Sequence, residues 1–231
     1  MRSNAASSWI IVAALASAPG LAADEPRSDL PVYSERIEVF GERPVVAPVA
    51  LGERVRIAFG IGELEVEAGE VSEMRAELVL ECRKASADRC HRYRRKLRVE
   101  PVRTAEGLEV RMGGLSMRAL RRIGVTGRVV VPRWSPLELD VGIGEVDLSA
   151  GEEDVSVRMG IGEVTVRASV EHIGAVAIRT RIGDAGIVLP GAHLEGRRKM
   201  LVGASSQWSE GPGESRIDVR LRIGEATVRL K

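Results

Sequence analysis

The chain has 231 residues, with 34 Lys or Arg against 33 Asp or Glu, 44% hydrophobic residues and only 3% aromatic ones. A chain so poor in rings has few platforms on which bases could stack, and the export expected from its N-terminus also argues against nucleic acid as a partner. Its length admits one all-β domain, or two small ones, with a sizeable core.

Arg2 precedes the apolar run Trp9–Ala18, then Pro19-Gly20 and Leu21-Ala22-Ala23, ahead of Asp24-Glu25. A basic head, a short apolar core and a small-residue exit make a secretory signal peptide, expected at residues 1–22 with cleavage after Ala22 or Ala23. The Pro-Gly pair stops this run short of the roughly 20 apolar residues that a membrane span needs. No later segment reaches that length, so an integral membrane protein is not expected. Residues 23–33 read as a flexible N-terminal segment and 34–231 as a single repeat domain. The expected location is the periplasm or cell envelope of a Gram-negative-type bacterium.

Phe59 begins the first of five matching stretches: FGIGELEVEA, then VGIGEVDLSA from Val141, MGIGEVTVRA from Met159, TRIGDAGIVL from Thr180 and LRIGEATVRL from Leu221. Their second glycines are Gly62, Gly144, Gly162, Gly183 and Gly224. The intervals of 82, 18, 21 and 41 residues are close to multiples of about 20, the period of a stacked β unit, and Gly203 falls where a skipped unit would carry its glycine.

Each copy alternates apolar and polar residues, as half-buried strands do. The alternation slips by one residue at the glycine. Val155, Val157, Met159 and Ile161 are odd-numbered, whereas Val164 and Val166 beyond Gly162 are even. The other four copies repeat the slip, with Ile61, Ile143, Ile182 and Ile223 in the place of Ile161. A corner at the glycine absorbs the extra residue and keeps both halves on one core, the isoleucines included. A phosphate-cradling loop is the rival reading, but it needs a third glycine and a following helix, and strands follow here instead.

Stacked copies align Glu63, Glu145, Glu163, Asp184 and Glu225 into a column that repels itself unless balanced. Arg158, Arg179 and Arg220, with Arg181 and Arg222, are the expected counter-charges. Calcium is the other way to bridge such a column, but no dense Asp-x-Asp-Gly pattern supports it.

Between the first two copies, about 70–127, Ala76–Leu80, Lys96–Val99 and Leu108–Met112 read as strands. From Arg83 to Pro136 fifteen Arg or Lys face four acids, a local excess of eleven positive charges. Cys82 and Cys90 are the only cysteines, and in an oxidising compartment they are expected to close as a structural disulfide. It would tie the tip of a basic hairpin inserted here, whose polar loop runs from Arg83 to His91. Zinc held with His91 lacks a fourth ligand. Arg83, Lys84, Arg92, Arg94, Arg95 and Lys96 are the candidate contact for an anionic envelope partner, whether protein, lipid or polysaccharide. Solvated arginines covering apolar neighbours and pairing with Glu-rich strands are the plainer reading of the same residues.

GRVVVPRWSPLELDVGIGEVDLSAG, Gly127 to Gly151, resembles the bacterial putative-adhesin family of exported β-repeat domains. Val129, Val131 and Pro132 match its V-x-V-P strand, Leu137 to Val141 its apolar strand, and Gly142, Gly144, Val146 and Leu148 its G-x-G and alternating strand. SRIDVRLRIGEATVRL at the C-terminus resembles the family's last turn. The resemblance runs over about Ser34 to Lys231, with the cysteine hairpin as a departure. It implies a coiled, β-solenoid-like (toast-rack) stack with no catalytic residues to transfer.

The expected function is a non-catalytic structural or interaction module without cofactor or metal. A β-helical polysaccharide lyase or hydrolase is the rival, but it needs two carboxylates paired in a cleft. The repeated Glu positions do not single out such a pair, and few rings are present to stack on sugars. Ser205, Ser206 and His193 lack a nucleophile elbow.

Overall fold

The computed structural model of the protein describes residues 35–38, 44–82, 87–120, 123–199 and 202–231, all within one unit, Val32–Lys231. The expected signal peptide at 1–22 and the segment 23–33 lie outside the described residues, as do Arg83 and Lys84. The elements in chain order are β1 (Glu35–Glu38), β2 (Val45–Pro48), β3 (Val55–Gly69), β4 (Glu73–Cys82), α1 (Ala87–Arg94), β5 (Arg98–Thr104), β6 (Gly107–Gly113), α2 (Met117–Leu120), β7 (Gly124–Pro132), β8 (Leu137–Ser149), β9 (Val155–Ala168), β10 (Ile173–Leu189), β11 (Ala192–Glu195), β12 (Arg197–Lys199), β13 (Gly203–Trp208) and β14 (Ser215–Leu230). The described chain is all-β apart from the two short helices, and its strands join in one mixed sheet.

The strand order is β1-β4-β7-β3-β8-β9-β14-β10-β13-β12, with β2 on β4, β6 on β3, β5 on β6 and β11 on β10. The five repeat copies are the long strands β3, β8, β9, β14 and β10, parallel and in register. Their order in space is not their order in the chain, because β14 lies between β9 and β10. The other side of β10 is already taken by antiparallel partners, β13 on its first half and β11 on its second. The last copy therefore pairs with the remaining edges of β9 and β10. Gly203, expected at the glycine of a skipped parallel unit, instead opens antiparallel β13.

Burial follows the slipped alternation. In β8, Leu137, Leu139 and Val141 are buried before the glycine, and Val146 and Leu148 after it. In β9 the same places hold Val155, Val157, Met159, Val164 and Val166, and in β14 Ile217, Val219, Leu221, Ala226 and Val228. Side chains from both halves belong to one hydrophobic cluster. The isoleucine of each copy does not follow the expectation. Ile161, Ile182 and Ile223 are 44%, 46% and 42% exposed, and Ile61 and Ile143 only half-buried. The reversal of facing thus begins one residue before the corner glycine, so the isoleucine already points outward. In β10 the last inward residue before the corner is Thr180, buried because its hydroxyl bonds the carbonyls of Gly183 at 3.1 Å and Ala204 at 3.2 Å.

The section between the first two copies also differs from expectation. The strands flanking the cysteines do not pair as a hairpin: β4 joins β1, β2 and β7, whereas β5 joins β6. Part of the expected polar loop is the helix α1. Asp88 in its first turn and His91, Arg92 and Arg94 in its last complement the helix dipole. Buried Cys90 and half-buried Tyr93, three residues apart, form its inward face.

Candidate functional site

Five glycines make the spine of the repeat surface. Gly62, Gly144, Gly162, Gly224 and Gly183 have φ of 135°, 143°, 140°, 133° and 122°, a region that side chains with a Cβ rarely occupy. They also pair with one another across adjacent strands. A Cβ on Gly144 would overlap the carbonyl oxygen of Gly62, one on Gly162 that of Gly144, one on Gly224 that of Gly162, and one on Gly183 that of Gly224. Backbone angle and close stacking exclude any other residue for separate reasons.

Beside the glycines run the carboxylates Glu63, Glu145, Glu163, Glu225 and Asp184, each opposite the next across the parallel pairs. Neighbours on adjacent strands stand about 4.8 Å apart by strand spacing. The expected counter-charges do not balance them. Arg158 pairs with Glu138 and, at 3.9 Å, with Asp140, while Arg220 pairs with Asp218 at 2.7 Å. Those arginines lie on the first half of each strand and meet acids of the same half. Glu63 accepts a hydrogen bond from Thr126 Oγ1 at 3.3 Å. Among the described residues, Glu145, Glu163 and Glu225 form no ion pair, nor do Arg179, Arg181 and Arg222. No group of three or more His, Cys, Asp or Glu among the described residues is placed to hold a metal ion.

The candidate basic contact is only partly brought together. Arg92 and Arg94 sit on α1, and Arg95 and Lys96 follow it directly. Arg92, Arg95 and Lys96 are exposed and Arg94 is half-buried. None of the four forms an ion pair with a described residue. Several other arginines contrast with them: Arg56 pairs with Asp140, Arg167 with Asp147, Arg128 with Glu65 at 2.9 Å, and Arg133, just after β7, with Glu70 at 2.8 Å. The Asp140 hydrogen bond holds the Arg56 guanidinium above its ordinary pKa, and Asp147 does the same for Arg167. Cys90 is buried, and the side chain of Cys82, at the end of β4, lies outside the described residues.

The hydroxyl of Ser206 donates to the Leu194 carbonyl at 3.4 Å. The outward isoleucine row was missed by sequence reasoning, because alternation counted inward from the core places each isoleucine on the buried side. The alternation held no signal for it, since the first-glycine position that becomes Arg181 and Arg222 in two copies faces outward on either reading.

No protein-family model matches the chain, and no curated protein matches it. Among solved structures, a "putative cell adhesion protein" from Clostridium sporogenes aligns over 85% of this chain and 100% of its own, with a TM-score of 0.44 and 15% identity. A "putative lipid binding protein" from Parabacteroides distasonis aligns over 82% of this chain and 63% of its own, with a TM-score of 0.33 and 9% identity. Among the described residues no helix is long and apolar enough to cross a membrane.

Proposed function

We propose that the chain is a non-catalytic, exported module of a bacterial cell envelope. Its repeat copies would coil as a solenoid-like, toast-rack stack, and the basic segment around α1 would contact an anionic envelope component. The coil is supported by the single hydrophobic cluster that side chains on both sides of each corner glycine share. The contact rests on one observation: among the described residues Arg92, Arg94, Arg95 and Lys96 stand together in sequence without a carboxylate, whereas Arg56, Arg128 and Arg167 of the sheet each find one. A cluster of unneutralised cations on a chain of balanced charge attracts polyanions locally. Export rests on the N-terminal sequence, and N-terminal sequencing of the protein recovered from a periplasmic fraction is expected to read from Ala23 or Asp24.

The contact is tested by co-sedimentation of the mature protein with anionic and zwitterionic vesicles, and by pull-down on acidic polysaccharide, at low and raised salt. Salt-sensitive retention by an anionic surface, lost in the triple variant Arg92→Glu, Arg94→Glu, Arg95→Glu, is expected. Retention that the triple variant keeps, or no retention on any anion, rejects this contact.

A further inference from the structure

Ile61, Ile143, Ile161, Ile223 and Ile182 stand side by side on β3, β8, β9, β14 and β10. At a strand spacing of about 4.8 Å they form an apolar ridge about 19 Å long. The carboxylate column follows it two residues further along each strand. The result is a stripe of β-branched side chains bordered on one flank by acids.

One end of this ridge already carries a cover made by the chain itself. The connection from β6 to β7 reads GLSMRALRRI, Gly114 to Ile123, a segment with three arginines, no acid and regularly spaced apolar residues. Its Leu115 and Leu120 pack against the core. Leu120 and Ile123 line one cavity with Ile61 and Ile143, and the cavity runs along the carboxylates Glu63, Glu145, Glu163 and Glu225. Arg118 in the same segment is exposed. At that end the isoleucines are half-buried. At the other end Ile161, Ile223 and Ile182 are 44%, 42% and 46% exposed, and among the described residues Glu163 and Glu225 pair with no cation.

We infer that the open part of the ridge, from Ile161 to Ile182, is a docking site for a basic amphipathic segment of a partner protein, its apolar side chains seated as Leu115, Leu120 and Ile123 are at the covered end. Exposed β-branched side chains in a continuous row gain from desolvation. Glu163 and Glu225 alongside select cations on one flank of the incoming segment. Arg181 and Arg222 flank the ridge on the opposite side from Glu225 and Asp184, so a ligand that is cationic all round is repelled there and an amphipathic one is favoured. This site is separate from the basic contact at α1 and does not depend on it.

A labelled synthetic peptide, GLSMRALRRI, titrated with the full mature chain and followed by fluorescence anisotropy, tests the inference against a scrambled isomer of the same composition. Saturable binding is expected, weaker by about tenfold for the scrambled peptide. The double variant Glu163→Gln, Glu225→Gln is expected to weaken binding by about tenfold and to flatten its salt dependence. That variant relieves repulsion between neighbouring acids, so its fold should be retained, as circular dichroism checks. Ile161→Thr with Ile223→Thr should abolish binding. The inference is overturned if the peptide does not saturate, if the scrambled isomer binds equally, or if neither double variant weakens binding. It is also overturned if sedimentation shows self-association that the peptide displaces, because a second copy then covers the ridge.

Discussion

Gly162 on β9 lies against Gly144 on β8 so closely that a methyl group on Gly162 would occupy the space of the Gly144 carbonyl oxygen. Its φ of 140° adds a second obstacle to any side chain. Gly160, two residues earlier, has an ordinary φ but also stacks on its neighbour, Gly142, whereas Gly60 faces open space. Gly162→Ala is therefore expected to cost about 2 kcal/mol or more, from backbone strain and displaced stacking. Gly60→Ala should change stability by less than about 1 kcal/mol. Urea unfolding of the two variants makes the comparison, and equal losses would show that stacking does not decide the glycine.

The switch of facing at the corner makes a paired prediction. Ile57 is fully buried, four residues before Ile61, while Ile161 is 44% exposed. Ile57→Ala is expected to cost about 2–5 kcal/mol, as a cavity in a packed core does. Ile161→Ala should cost only a fraction of that, because nearly half of its surface is already wet. Thermal and urea unfolding read both, and a larger loss at Ile161 would contradict the outward corner.

Glu53 accepts the Ala50 backbone N–H at 2.7 Å and pairs with Arg103, which also donates to the Pro48 carbonyl. The backbone hydrogen bond first, and Arg103 second, hold the Glu53 carboxyl below its ordinary pKa. A depressed folded-state pKa gives stability that is present above the unfolded value and is lost as pH falls through the folded one. Stability is thus expected to decline below about pH 4, the ordinary glutamate range. Glu53→Gln should lower stability at neutral pH and make that acid decline shallower. Melting curves recorded across the acid range check the slope, and an unchanged slope would remove Glu53 from the account.

Cys90 is buried on α1, eight positions after Cys82 at the end of β4. The disulfide expected between them would close a short loop, with a stabilisation of about 2–3 kcal/mol. Alkylation of the unfolded, unreduced protein followed by mass spectrometry should find no free thiol. Reduction should then lower the unfolding midpoint. Two alkylated cysteines before reduction would refute the pairing.

Much of the strand architecture was legible because its causes are local. Alternation marks Val155, Val157, Val164 and Val166 as one buried set, and the glycine between Ile161 and Glu163 marks the place where parity changes. The isoleucines were misread because parity tells only that a reversal occurs between Met159 and Val164, not at which residue it begins. The cysteine section was misread for a different reason. β4 finds its partners in β1, β2 and β7, far from it in the chain, while β5 turns through Ala105-Glu106 onto β6, so the alternation of each strand was legible but not the choice of neighbour. The polar run that became α1 carries its helix signal in Cys90 and Tyr93, only two inward residues.

The sequence by itself determined the repeat, the five glycines, the strand character of the copies and the inward residues on either side of each corner, because backbone angle and the pleat act within a few residues. Only the tertiary structure decided that β14 enters between β9 and β10, that the isoleucines form an outward row, and that Arg158 and Arg220 meet acids other than the corner column. Those outcomes depend on which sheet edges remain free and which side chains meet across strands, and such relations exist only once the chain has folded.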